Sequence, residues 1–580
     1  MLFADVEGDD LLPGLTRLWC IVIGDETGRI AYADQRGYPS LKEGLKRLSE
    51  ADQIVFHNGT GYDYWAIEKL YPGTLRMEQI VDSLILCRML WPGQKHGLEV
   101  LGSRLNKPKG DFKDFSRFTP EMVDYCLRDV EILQDYWRFR FSPELKGYPQ
   151  SIGEYYEKFP QACECEFWVS FALQVQQAHG FRLDVAKARK LEMKLRGEQR
   201  TIEYQLQSVF PPKVTPRVSE KTGKLLKPKV EEFNPGSRDM IAARLIERYG
   251  WKPDKFTPTG KPQVDESTLK PLPFPEAKLL VRYMTVQKKL GMLADGDNGW
   301  LKLVDANGYV HGSVLSVGAR THRMSHFAPN MAQVDSDPEM RELWIPDEGD
   351  FLVGVDADSL ELRMLAHYLG KSDGGAFAHA VDQGRKEDGT DPHTLTMRAV
   401  GFRDRDNTKT LRYAYLYGAG DAKLGRIARE DNPELVGSAS SIGAEVRKKL
   451  ELGVQGQEAL TSLVHRLHRK QGWLPSVDLR PILSESEHSA LNTLLQSAGG
   501  IVMKYALMIF FKKNYGLISM GYIKLCANVH DEWQMSVHPD WVEYAKQDAV
   551  EAIVHAGLYL KLRCPLKGNA DVGASWKDTH

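Results

Sequence analysis

Apolar and polar positions change rhythm several times along this chain. Near its start, LWCIVIGD (18–25) and QIVFHN (53–58) are short apolar runs rich in β-branched residues, which predicts buried strands. DYWAIEKLY (63–71) and EMVDYCLRDVEILQDYW (121–137) repeat apolar residues at the helix period. Strands alternating with helices predict a mixed sheet covered by helices over the first 145 residues. FSPELKGYPQSIG (141–153), with its Pro and Gly, predicts a linker. From about 160 to 300 the rhythm is helical, interrupted by a basic, Pro-containing segment at 211–236. Strand-like runs return at 301–369, notably FLVGVDAD (351–358), and 370–515 are again helical. In LCANVHDEWQMSVH (525–538) apolar runs flank a central His-Asp-Glu, which predicts two strands meeting at a turn. No internal repeat is apparent.

The 580 residues leave room for three or four domain-sized units, and 42% hydrophobic with 27% charged residues is an ordinary globular balance. No run of 18 apolar residues exists, so no membrane span is expected, and the acidic MLFADVEGDD is no signal peptide. The seven scattered cysteines contain no CxxC pair, which points to a reducing cytoplasm and away from a zinc site. A net charge of −2 argues on its face against nucleic acid, but the average hides patches. Lys213, Arg217, Lys221, Lys224, Lys227 and Lys229 face a single acid, Glu220, in one short stretch. Arg447-Lys448-Lys449 and the group His465, Arg466, His468, Arg469, Lys470 form two more. Each alone reads as a solvated face. Together they can grip phosphates while acidic sites elsewhere cancel the sum.

Asp5 and Glu7 sit two apart, so on a strand they share a face. Taken alone they read as a solvated strand end. Asp63 begins a helix beside Asn58, and Tyr125 and Asp129 lie one helical turn apart. Asp5, Glu7, Asp63 and Asp129 can then converge on two Mg²⁺ ions about 4 Å apart, with Tyr125 orienting the attacking water. This D-x-E … N-x(4)-D … Y-x(3)-D pattern resembles the DEDDy 3′–5′ exonucleases. Asp82 and HGLEVLGSRL (96–105) also resemble that family's intervening elements.

Asp356 ends a predicted strand, and Asp531 and Glu532 occupy a tight turn 175 residues later, so only the fold can join them. A lone Asp at a strand end is ordinarily a turn residue. Two brought together are what a two-metal nucleotidyl transfer requires. Between them, in RDNTKTLRYAYLYGAG (405–420), Arg405, Lys409, Tyr413 and Tyr417 recur every four residues. Each step turns about 400°, so the set stays on one helical face. An ordinary amphipathic helix would separate cations from aromatics, whereas this stripe fits an incoming nucleotide. Arg405 and Lys409 would pair with its triphosphate, and Lys409 could protonate departing pyrophosphate. Tyr413 would stack near base and sugar, and Tyr417 near the templating base.

These stretches resemble family A DNA polymerases, specifically the replicative enzymes of short-tailed phages: DADSLELR, R-x(3)-K-x(3)-Y-x(3)-Y-G and VHDE, in order. THRMSHFAPNMAQV (321–334) is similar to the stretch whose arginine, here Arg323, contacts the primer terminus. HSALNTLLQSAG (488–499) is similar to the helix whose Asn492 and Gln496 touch minor-groove edges, with His488 joining the DNA-binding set. His393 matches a nucleotide phosphate ligand. The resemblance implies an α/β, ribonuclease H-like exonuclease domain over 1–145. An α+β right-hand polymerase domain would occupy 146–580, with a thumb at about 180–300, a palm at about 301–369 and 485–580, and fingers at about 370–484. It implies metal positions at Asp356, Ala357 and Asp531, catalytic help from Glu532, and Glu361 acting with Tyr413 to exclude a ribose 2′-hydroxyl. Tyr413, in place of phenylalanine, implies tolerance of dideoxynucleotides. Two Mg²⁺ per site are implied, with Mn²⁺ as an alternative. Primer-template DNA and dNTPs are the implied ligands, a phage helicase-primase and single-stranded-DNA-binding protein the implied partners, and a monomer the implied state.

Three departures qualify the resemblance. Asp358 stands where the family has Ser, and strand alternation predicts that it points with Asp356. His322 replaces the glycine of T-G-R. The stretch at about 211–233 is short and basic where some phage relatives carry a long thumb insertion that recruits thioredoxin. That predicts no thioredoxin dependence, with Lys213 and Arg217 contacting the duplex directly. The chain opens directly on the exonuclease pattern, so no flap-cutting 5′ nuclease is expected. A nuclease that merely binds DNA, or a non-catalytic scaffold, would have lost some of these carboxylates and cations; none is missing.

Overall fold

A computed structural model describes residues 1–140, 145–219, 221–334 and 336–580. The start of the predicted linker, 141–144, lies outside the described residues, as does Glu220 of the basic segment. Residues 145–153 form no free linker. Tyr148 is buried with its hydroxyl on the Leu90 carbonyl at 2.7 Å, and a helix begins at Ile152.

The N-terminal unit is a five-stranded sheet ordered Arg29–Tyr32, Leu18–Gly24, Leu2–Gly8, Ile54–Phe56, Ile80–Asp82. Leu2–Gly8 pairs antiparallel with Leu18–Gly24 and parallel with Ile54–Phe56. Leu18–Gly24 is buried almost throughout, hence its continuous apolar run. On Leu2–Gly8 the pleat buries Ala4, Val6 and Gly8 and turns Asp5 and Glu7 together to the other face. Helix Pro120–Arg138 packs on this sheet, started by the Thr119 cap and Pro120 in its first turn.

Helix Pro160–His179 leads from this unit into the rest and packs against Ala490–Ser519. The latter is apolar and long enough to cross a membrane, with mean hydropathy 1.5. Because 83% of that stretch is buried inside the molecule, it serves as a core helix. It backs a four-stranded antiparallel sheet ordered Ile523–Val529, Glu532–Val537, Phe351–Ala357, Gly568–Gly573. Helices Arg405–Leu416, Asp421–Asp431, Ala439–Gly453 and Gln457–Gln471 form a separate helical layer. Helices Val185–Val209 and Pro275–Leu290 pack together. Between them in sequence, the basic interruption is an exposed antiparallel ribbon, Lys213–Val218 with Leu225–Glu231, in which Val214 faces Val230 and Thr215 faces Lys229.

Candidate active sites

The first acid cluster forms where three elements meet. Leu2–Gly8 supplies Asp5 and Glu7, the start of helix Asp63–Leu70 supplies Asp63, and helix Pro120–Arg138 supplies Tyr125 and Asp129. Asp82 is a clamp: its carboxylate accepts the Asn58 and Thr60 backbone N–H groups at 3.2 and 3.0 Å and the Thr60 hydroxyl at 2.7 Å. That fixes the loop that delivers Asp63.

Burial, then the charge of Asp129, pushes Asp5 up to about 7. Burial and Asp5 push Glu7 up to about 10. Burial and Asp5 hold Asp63 well above the carboxylate range, and burial also raises Asp129. Acids this close resist ionisation until a cation shares the space. Asp129 Oδ1 is buried without a hydrogen-bond partner. Hard carboxylate oxygens with an unmet acceptor fit Mg²⁺ or Mn²⁺. Ligand atoms of Asp5, Glu7 and Cys126 lie within 4.8 Å of one another. Burial pushes the Cys126 thiol up, and it donates to Asp5 Oδ2 at 3.3 Å.

The sequence reading missed Lys109. Its ammonium lies 2.6 Å from Asp129 Oδ2 and 4.7 Å from the centre of the Tyr125 ring. Nothing local marks it, because it sits in an irregular stretch and meets Asp129 only through the fold.

The second cluster lies at the end of the four-stranded sheet. Asp356 faces Glu532 across one strand pair and Asn569 across the other. The Ala357 N–H donates to the Asp531 carbonyl at 3.1 Å, which locks the strand end to the turn carrying Asp531. Burial, then Glu361, pushes Asp531 up to about 6, and burial raises Asp356. A half-buried pair of carboxylates with backbone beside it again suits a hard divalent ion. Glu532 is buried and turned aside: it accepts Trp576 Nε1 at 2.7 Å and contacts His580 Nδ1.

Asp358 does not point with Asp356. The strand ends at Ala357, and Ser359 takes a left-handed φ of 51°, which breaks the alternation. The Asp358 carboxylate instead meets the buried Arg363 guanidinium at 2.7 Å, and Arg363 also holds Asp382 at 3.2 Å.

Ser359, two residues beyond the strand end, helps to line a cleft of about 250 Å³ together with Leu362, Asp391, His393, Arg405, Lys409 and Tyr413, among others. Arg405 is steadied by Asp391 at 2.8 Å, a partner missed by the sequence reading although its D-P-H context is a helix-start signature. Burial pulls His393 down to about 4, so it is neutral. Tyr413 and Tyr417 stack with centroids 6.5 Å apart. The Tyr417 hydroxyl donates to Glu361 at 2.8 Å, and the Glu361 charge also acts on Tyr413. Asn492 Nδ2 donates to the Tyr417 carbonyl at 3.3 Å, and Gln496 lies one turn along the same helix. His488 is exposed just before that helix, and Arg323 packs against its Gly500. Lys213 and Arg217 belong to the exposed ribbon, with Lys213 3.4 Å from Glu247.

A family model described as DNA polymerase family A matches residues 212–578, well over half of the chain. The chain belongs to DNA polymerase family A. The DNA-directed DNA polymerase of Enterobacteria phage T3 is 29% identical over 729 residues, spanning 100% of both chains. That of Escherichia phage T7 is 28% identical over 727 residues, again spanning 100% of both. That of Escherichia phage Phieco32 is 35% identical over 268 residues, 41% of each chain. Among solved structures, the POL domain of Pol1 from M. smegmatis, in a complex with DNA primer-template and dNTP, superposes with a TM-score of 0.75. It covers 100% of this chain and 96% of that one at 17% identity, a likeness of fold. The family and the fold class expected from the motifs are therefore as the sequence implied.

Proposed function

We propose that this family A polymerase copies primed DNA from dNTPs at Asp356 and Asp531, and proofreads by 3′–5′ hydrolysis at Asp5, Glu7, Asp63 and Asp129. One observation carries the reading: two separate acid clusters lie on two sheets, and beside the second runs a cleft lined by Arg405, Lys409, His393 and Tyr413, the last close enough to feel the Asp531 charge. In this reading residues 1–145 are the exonuclease domain and 146–580 the polymerase domain, with thumb, palm and fingers at the bounds inferred from the motifs.

In the synthetic site, Asp356, Asp531 and the Ala357 backbone would hold two Mg²⁺. Those ions would supply an acidified primer hydroxyl and charge neutralisation at phosphorus. Arg405 and Lys409 bind the triphosphate, and Lys409 delivers a proton to pyrophosphate. Neutral His393 contributes a hydrogen bond and no charge. Tyr413 stacks against the nucleotide, Glu361 and Tyr413 guard against a 2′-hydroxyl, and Tyr417 borders the templating base. Glu532, held by Trp576, keeps the Asp531 turn in place. Arg323, His488, Asn492 and Gln496 bind the primer-template. In the exonuclease site the four acids would hold two further Mg²⁺, and Tyr125 orients water toward the scissile phosphate.

Lys213 and Arg217 on the ribbon grip duplex phosphates, so thioredoxin is not needed. The setting is the host cytoplasm during phage infection, with a helicase-primase and a single-stranded-DNA-binding protein as replisome partners. Primer extension with and without dNTPs tests the two-site reading. Asp356→Ala should abolish synthesis and spare degradation, and Asp5→Ala should do the reverse; loss of both activities in each variant would sink it. Thioredoxin that greatly lengthens products in a single-encounter assay would overturn the ribbon's role.

A further inference from the structure

Helix Ala490–Ser519 carries Asn492, Gln496, Gly500 and Lys504 at four-residue steps, so they share one face. The first two are the proposed minor-groove contacts. The last two touch a different element. Lys504 is fully buried, and its ammonium donates to the His322 carbonyl at 2.6 Å and to both Glu166 oxygens at 2.7 and 2.9 Å. Arg480 joins the same Glu166 carboxylate and also holds Asp478 at 2.7 Å. These four side chains are 1% exposed or less.

Two buried acids against two buried bases make a neutral quartet. Such a quartet seldom stabilises a core better than apolar residues of equal volume would, because stripping water from the ions offsets their attraction. What an apolar cluster could not do is seize a backbone carbonyl. The carbonyl seized here belongs to His322, a buried residue in the left-handed region at φ 57°, where a side-chain-bearing residue is strained. The next residue is Arg323. One turn before Lys504, a Cβ on Gly500 would lie 3.0 Å from Arg323 Cγ, so the bare glycine makes room for the arginine stem.

We propose that Gly500 and Lys504, with Glu166 behind Lys504, are positioning residues. They form a cradle that holds Arg323 in register with Asn492 and Gln496 at the primer terminus. The inference rests on the reading of Arg323 as a primer contact. The cradle also explains how His322 is tolerated where glycine is usual: the Lys504 bond stabilises the left-handed backbone that a side chain disfavours.

Steady-state primer extension on full-length protein, paired with thermal melting, tests this. Gly500→Ala is the decisive variant, because the helical gain of alanine offsets the crowding of Arg323 in stability while the arginine is still displaced. It should melt within about 2 °C of wild type, yet raise KM for primer-template roughly tenfold with kcat much less changed. Lys504→Met should raise the same KM by a similar factor while also lowering the melting temperature, and Lys504→Arg should recover part of the loss. In an Arg323→Ala background neither change should add a further loss. If Gly500→Ala binds primer-template like wild type, or if its effect adds in full to that of Arg323→Ala, the cradle is overturned while the primer contact stands. If Arg323→Ala alone leaves KM and kcat untouched, the primer contact itself falls and takes the cradle with it.

Discussion

The two acid clusters meet one electrostatic problem by opposite means. In the N-terminal sheet four carboxylates crowd together, and Lys109 is the one cation found in an ion pair with them among the described residues. In the palm-like sheet the neighbours are drawn away: Asp358 to Arg363, and Glu532 to Trp576 and His580. Burial, then Asp5, pushes Glu7 up to about 10, whereas burial, then Glu361, takes Asp531 only to about 6. Both sites hold carboxylates above their ordinary range, and the shift is larger where burial and like charge are greater.

The sharpest way to break the comparison is to neutralise one member of the crowded set. If the proposed exonuclease reading holds, Asp63→Asn should cost degradation on the order of 10³-fold in rate and leave nucleotide incorporation within about twofold of wild type, as read by single-turnover degradation and primer extension. Equal losses in both assays would mean that the clusters are not separate centres.

Stability separates them next. The Asp5 carboxyl rises from 3.8 to about 7, so the folded protein favours its protonated form. The stability it lends is complete below about pH 4 and lost as pH climbs through 7. In metal-stripped protein at pH 8, Asp5→Asn should therefore raise the melting temperature by at least about 2 °C, with no gain at pH 4. Asp356→Asn should gain less under the same conditions, because its cluster is less crowded. Equal gains would remove the contrast.

Asp358→Ser probes the thinning of the second cluster. It should leave the Mg²⁺ dependence of synthesis unchanged and lower stability by about 1 kcal/mol, since Arg363 keeps Asp382. A shifted Mg²⁺ profile would return Asp358 to the metal site. The smallest effect belongs to the ribbon. Lys213→Ala with Arg217→Ala should weaken duplex binding evenly across sequences and reduce the salt slope by roughly 2, one per lost phosphate contact. An unchanged slope would place the ribbon off the DNA.

Much of the fold is legible in the sequence. The apolar runs at 18–25 and 53–58 and the helical period at 121–137 became the expected elements, and the D-x-E spacing turned both acids to one face. The basic interruption did not announce a ribbon, because its strands are exposed and carry no buried alternation. Asp358 misled because alternation holds only while the strand continues, and one left-handed serine ended it.

By itself, the amino-acid sequence determined the strands and helices and the spacing that sets Asp5 beside Glu7 and Arg405 in line with Tyr417. Such patterns repeat over two to four residues, within reach of local backbone geometry. Only the tertiary structure decided which charges are answered and by what. Lys504 meets Glu166 across 338 positions, Arg480 meets it across 314, and Lys109 meets Asp129 from an irregular stretch. Those pairings come from burial and packing of distant segments, where desolvation makes a partner obligatory but no local period records which one it will be.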